Sequence, residues 1–174
     1  MISMPPSIKI KNIVYKYYWI LAIAIVILLL IWVLISKPDV DITIVVSVLT
    51  LVFSFTFFIQ KQRLEEIKLF TDLFREFNER YSNLNDDLNR IVTKKSADKL
   101  PDGDKNILFD YFNLCAEELF YFKRGFIPVE VWESWVNGMK EYYKNILIRS
   151  IWDNELKQGS YYGFDTNILS SSLK

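Results

Sequence analysis

Apolar and polar positions divide this chain sharply. Two runs carry no charge: Tyr17 to Ser36, YYWILAIAIVILLLIWVLIS, and Ile42 to Gln60, ITIVVSVLTLVFSFTFFIQ. Each has about the ~20 residues an α-helix needs to cross a hydrocarbon core roughly 30 Å thick. Only Lys37, Pro38, Asp39, Val40 and Asp41 separate them. Lipid offers no water to satisfy backbone groups, so a spanning segment of this kind must be helical. The pattern predicts a transmembrane helical hairpin with a minimal turn.

Past Lys61 the pattern changes to a heptad. Ile67, Phe74, Tyr81 and Leu88 form one set, and Phe70, Phe77, Leu84 and Ile91 the other. Intervals alternate three and four, as on the seam of a packed helix. No Gly and no Pro but Pro101 falls between Val40 and Gly103, so one helix is predicted from about Ile42 to about Val92. Phe and Tyr are wide for a two-stranded coiled coil, which favours packing on the chain's own later helices over an intermolecular zipper. The clearest break is Thr93 to Lys105, TKKSADKLPDGDK, with Asp102-Gly103 as a turn dipeptide.

A helix over Asn106 to Lys123 follows, with Gly125 suited to its C-terminal cap. A further helix is predicted from Pro128 to about Leu156, where Gly138 either costs stability or marks a close helix approach. Tyr161, Tyr162 and Phe164 are expected to fold back onto the core, ahead of a serine-rich end. The fold class is therefore all-α, an N-terminal transmembrane hairpin whose second helix continues into a cytoplasmic helical bundle. The predicted divisions are an N-terminal segment 1–16, spans 17–36 and 42–60, an external loop 37–41 and a helical domain 61–174.

Basic flanks set the orientation. Lys9, Lys11 and Lys16 precede the first span, Lys61, Arg63, Lys68 and Arg75 follow the second, and the loop holds only Lys37. The positive-inside rule then predicts a multi-pass membrane protein with both termini cytoplasmic and the loop outside. Tyr17, Tyr18 and Trp19 suit the headgroup level. The first run is too long for a signal-peptide core and no small-x-small site follows it, so an uncleaved anchor is expected. Pro5 and Pro6 argue against helix at the very start.

Composition narrows the chemistry. Lys plus Arg equals Asp plus Glu, so the totals give no nucleic-acid footprint, and no sequence-specific nucleic-acid binding is expected. There is no His, the commonest metal ligand and general base. The lone Cys115 gives no zinc spacing and reads as a small core residue. The five glycines form no phosphate loop. Glu117 and Glu118 are adjacent, so on a helix they point about 100° apart and do not converge; they read as one solvated charge and one partner for Lys123. Glu130, Glu133 and Glu141, near Trp132 and Trp135, read as first-turn acids favoured by the helix dipole. The expectation is a protein without enzymatic activity, metal or cofactor.

Two features are more specific. Thr43, Ser47, Thr50 and Ser54 recur at intervals of four, three and four, a hydroxyl stripe on one face of the second span. It suits packing against the first span, back-bonding to the helix's own carbonyls, or a self-association face in a homo-oligomer. The aromatic block Tyr111 to Met139 is mostly core, but Lys123, Arg124, Trp132 and Trp135 are candidates for a partner surface.

The two-span anchor, the seam FNERYSNLNDDLNRI (Phe77 to Ile91) and the Tyr111 to Met139 block resemble the two-transmembrane effector proteins of bacterial retron anti-phage systems. That resemblance implies a membrane-disrupting effector of abortive infection, acting on lipid. A guard complex of a reverse transcriptase and its RNA–DNA product would hold it inactive. It carries over no functional residue. The rival expectations are a non-toxic membrane-anchored scaffold or adaptor, and, behind it, a membrane-tethered enzyme or nucleic-acid-binding module.

Overall fold

The computed structural model describes residues 6–35, 41–94 and 100–170. Every regular element among them is a helix: α1 (Pro6–Ile35), α2 (Ile42–Val92), α3 (Asp102–Lys123), α4 (Val129–Tyr143), α5 (Ile146–Leu156) and α6 (Asn167–Ser170). The chain divides into two compact units between Leu69 and Phe70, and α2 contributes to both. Of the predicted turn 37–41, only Asp41 lies within the described residues. It caps α2, its carboxylate accepting from the Thr43 backbone N–H at 2.8 Å.

In the first unit, α1 begins at Pro6, well ahead of the apolar run. The expected separate segment 1–16 is thus largely helix. Proline is tolerated in the first turn of a helix, where its missing N–H would have no partner anyway, so Pro6 starts α1 rather than preventing it. Two helices, Ile13–Ile35 within α1 and α2 itself, are long and apolar enough to cross a membrane. Their contacts run in opposite senses along the two elements. Lys11 Nζ lies 2.9 Å from Glu66, Tyr15 Oη donates to Glu66 at 2.8 Å, and Gln60 Nε2 donates to Tyr18 Oη at 3.4 Å.

In the second unit, the end of α2 packs with α3, α4, α5 and α6. Phe77, Leu88 and Ile91 of the heptad are buried, and Phe70, Tyr81 and Leu84 pack partly buried against the same core. From Phe77 to Ile91 the seam is thus satisfied within the chain, whereas Ile67, its predicted first member, is 51% exposed. It is displaced by one position near its start: Leu73 is buried while Phe74 stays 41% exposed. Phe74 and Phe77 both meet Trp135, at centroid distances of 6.0 Å (stacked) and 5.8 Å (edge-on). At the centre Trp152, fully buried, stacks between Phe112 at 4.5 Å and Phe164 at 5.6 Å.

Local chemistry explains where the helices stop. Gly125, at φ 77°, ends α3, and the Phe126 N–H returns to the Tyr121 carbonyl at 3.1 Å. The single helix expected over Pro128 to Leu156 is two. Asn145 breaks it by capping α5, its side-chain oxygen accepting from Leu147 N at 2.9 Å and Ile148 N at 3.2 Å. At the other end of α3, Asp102-Gly103 is not a turn but the first turn of helix, entered from Pro101, with Asp102 and Asp104 complementing the dipole. Within the predicted break, residues 95–99 lie outside the described residues. An added Cβ at Gly138 would meet nothing within 4 Å, so no helix approaches closely there. Tyr161 and Phe164 do fold onto the core, whereas Tyr162 is exposed and only flanks Phe120, at 5.5 Å. Residues 171–174, most of the serine-rich end, lie outside the described residues.

This packing separates neighbouring rings on one helix. Phe77→Ala should cost about 3–5 kcal/mol, as for other buried Phe truncations, and Phe74→Ala clearly less. Denaturant unfolding of the detergent-solubilised protein checks the order. Equal losses, or a larger loss at Phe74, would contradict the burial pattern.

Candidate functional site

The hydroxyl stripe lies on an exposed face of α2: Thr43, Ser47, Thr50 and Ser54 are all exposed. The face turned toward α1 is a different one. Val48, Val52 and Phe55 of α2 and Tyr18, Ala22 and Ile25 of α1 line an apolar groove of about 310 Å³. At 100° per residue the stripe is centred on the order of 130° round the helix from those residues. It therefore does not pack on the first span. Two hydroxyls instead bond back to their own helix: Ser47 Oγ donates to the Thr43 carbonyl at 2.7 Å and Thr50 Oγ1 to the Val46 carbonyl at 2.8 Å.

The four residues singled out after α3 do not form one surface. Trp132 is buried and stacks on Phe122 at 5.0 Å. Trp135 is engaged by Phe74 and Phe77. Lys123 and Arg124 are exposed, but Lys123 Nζ donates to the Gly163 carbonyl at 3.2 Å and the Arg124 guanidinium lies 4.2 Å from the Phe120 ring. Helical spacing explains the split: Trp132 falls in line with Val136 and Met139, the buried strip of α4.

The most unusual chemistry is elsewhere. Glu117 pairs with Arg80 of α2, not with Lys123, through two bonds of 2.6 and 3.2 Å. Glu118, expected at the surface or on Lys123, is 6% exposed and has no hydrogen-bond partner among the described residues. Burial pushes its carboxyl up to about 8, against the opposing pull of Arg80. It opens onto a cavity of about 190 Å³ lined by the rings of Phe77, Tyr81, Tyr111 and Trp135, with Asn78, Ser134 and Gly138 at the exposed side. The sequence carried a signal for this. Asp104, Leu108, Tyr111, Cys115, Glu118 and Phe122 alternate four and three, so both acids fall on the buried strip of α3.

Asp104 shows the other fate of a buried carboxylate. Lys94 and Arg90, the latter at 2.9 Å, hold its carboxyl below the usual range despite its burial, and tie the end of α2 to the start of α3. Cys115 is a free, buried thiol that burial pushes up, unsuited to nucleophilic work. Among the described residues no group of His, Cys, Asp or Glu is placed to hold a metal ion. No family model, curated protein or solved structure matches this chain.

Glu118 gives a pH test. The folded protein keeps its proton to about pH 8, whereas an unfolded Glu loses it near ~4.3. The folded state therefore holds the extra proton between those values, and stability falls as pH rises through that window. Glu118→Gln should gain stability over the parent at pH 8 and little at pH 4.5. Parallel stability curves for the two proteins would show that the carboxyl is not desolvated.

Proposed function

We propose that this chain is a two-span inner-membrane effector of a bacterial anti-phage system, held in check through its cytoplasmic helical bundle until released. The observation that carries the membrane part is exposed apolar surface on α1 and the first part of α2. Leu34, Ile42, Phe53 and Phe57 are 82%, 75%, 72% and 68% exposed. Apolar patches of this extent mark a surface that something other than water covers, and lipid is the cover that fits two uncharged helices of spanning length. The basic flanks support cytoplasmic termini. The Lys11–Glu66 pair, which joins the approach to the first span with the exit from the second, supports both of these ends lying on the same side of the membrane.

The effector part rests on the resemblance to retron effectors and on α2. One uninterrupted helix supplies both the second apolar segment and the heptad of the bundle. A guard that grips the bundle, a reverse transcriptase with its RNA–DNA product, would thereby act on the span. Release would let the exposed hydroxyl stripe of Thr43, Ser47, Thr50 and Ser54 meet its equivalent on other copies, a close approach of the kind small residues permit in lipid. A specific observation favours the scaffold reading instead. Ser47 and Thr50 already bond to their own helix, so neither hydroxyl demands a partner.

Bulk on the stripe separates the two. Ser47→Leu with Ser54→Leu should insert at least as well as the parent but keep helix backbones apart. Val46→Leu with Phe53→Leu, both exposed, off the stripe and away from the groove, is the control. Dye entry and membrane potential after induction, at matched membrane levels, should show toxicity in parent and control and its loss in the stripe variant. Full toxicity in the stripe variant would overturn self-association. A harmless parent, even with its natural trigger supplied, would overturn the effector reading and leave the scaffold.

A further inference from the structure

The Glu118 cavity has the makings of a binding site that the membrane reading does not use. Its walls are mostly aromatic side chains: Phe77 and Tyr81 from α2, Tyr111 from α3 and Trp135 from α4, with Met139 beside them. A ring face carries negative potential and attracts a cation placed over it. The polar groups sit at two levels. Asn78 and Ser134 are exposed at one side with Gly138, while Glu118 is buried and no described residue hydrogen-bonds to its carboxyl. Asn78 commits its amide nitrogen to the Phe74 carbonyl at 2.6 Å, which leaves its oxygen as an acceptor.

Charge counting adds a third argument. The groups facing Glu118 are Arg80, Tyr81 and, farther out, Glu76 on α2, together with Tyr111, Cys115 and Glu117 on α3; α4 contributes no ionisable side chain to the lining. Arg80 is already neutralised by the bidentate Glu117 pair. An ionised Glu118 would face only Arg80, whose guanidinium is already bonded to Glu117, in a hollow walled by rings. A buried charge of that kind calls for a paired cation.

We propose that this cavity binds a small organic ammonium ion, with Glu118 as its counter-ion and Phe77, Tyr81, Tyr111 and Trp135 as its walls. At about 190 Å³ the space is below the roughly 300–1,000 Å³ of drug-sized pockets, so the ligand is a compact head such as a choline or an ethanolamine. Such a group exists free or at the head of a phospholipid. Binding selects the ionised carboxylate, so the empty site gives up its proton as the cation enters.

Calorimetry on the full chain in an uncharged sugar detergent tests this, with choline, ethanolamine and the neutral choline isostere 3,3-dimethylbutan-1-ol as probes. At least one ammonium should bind, and the neutral isostere should not. Affinity should rise roughly tenfold per pH unit up to about pH 8 and level off beyond, as proton linkage requires. Glu118→Gln should lose at least tenfold in affinity. Gly138→Leu, which favours helix and adds bulk beside the opening, should block binding without unfolding the protein. Displacement by short-chain phosphatidylcholine or phosphatidylethanolamine would mark a lipid head as the source; competition by soluble amines alone would mark a free ligand. Equal binding of the neutral isostere, unchanged affinity in Glu118→Gln, or no binding of any probe at pH 8.5 would each overturn the proposal. None of these outcomes bears on the membrane reading, which rests on other residues.

Discussion

Apolar side chains left exposed among the described residues are the constraint on which the rest depends. Within α1 and the first part of α2, side chains such as Leu28, Leu34, Phe53 and Phe57 face outward along both helices. The interior of the first unit is small by comparison, an apolar groove bounded by Ala22, Val48 and Phe55. Two helices cannot bury each other completely. What remains exposed must find lipid or another chain, and the absence of charge from both spans makes lipid the better solvent for it.

The second unit solves a different problem. It builds its core from rings. Trp152 lies between Phe112 and Phe164, Trp132 lies on Phe122, and Trp135 bridges Phe74 and Phe77. Large flat side chains bury much area per residue, which suits a small domain with limited interior. They also pack less freely than aliphatic chains, and a hollow remains where four rings and Glu118 meet. The two buried carboxyls of α3 mark opposite solutions. Asp104 is held charged by Lys94 and Arg90, while Glu118, with its nearest cation already paired to Glu117, is held neutral by burial.

Much of this was legible in the sequence because it follows from period and charge. Apolar runs long enough to span a membrane as helices, the three-four alternation from Phe77 to Ile91 and the glycine after α3 each predict what is found. The misses have physical causes. Asn145 was hidden inside a continuous apolar rhythm, and only its capping bonds reveal the break. Asp102-Gly103 has turn composition, yet acids in a first helical turn after Pro101 are equally well placed. Trp132 and Trp135 look alike on the chain, but one registers with the core strip and the other with the seam of α2. Glu118 escaped because adjacent acids suggest a solvated face, although its spacing from Tyr111 and Cys115 puts it on the buried one. Which face of α2 meets α1 depends on pairing between helices, which periodicity along one helix does not encode.

The central claim is that α1 and the first part of α2 lie in lipid, and extraction of native membranes tests it most directly. Membranes from expressing cells are washed with alkaline carbonate, then with urea, then with a mild detergent. The account predicts that the full chain stays in the pellet through both washes and leaves it only in detergent, as spanning helices do and peripheral proteins do not. Release of a folded, soluble chain by carbonate would contradict it, and would mean that the exposed apolar faces are covered by protein instead.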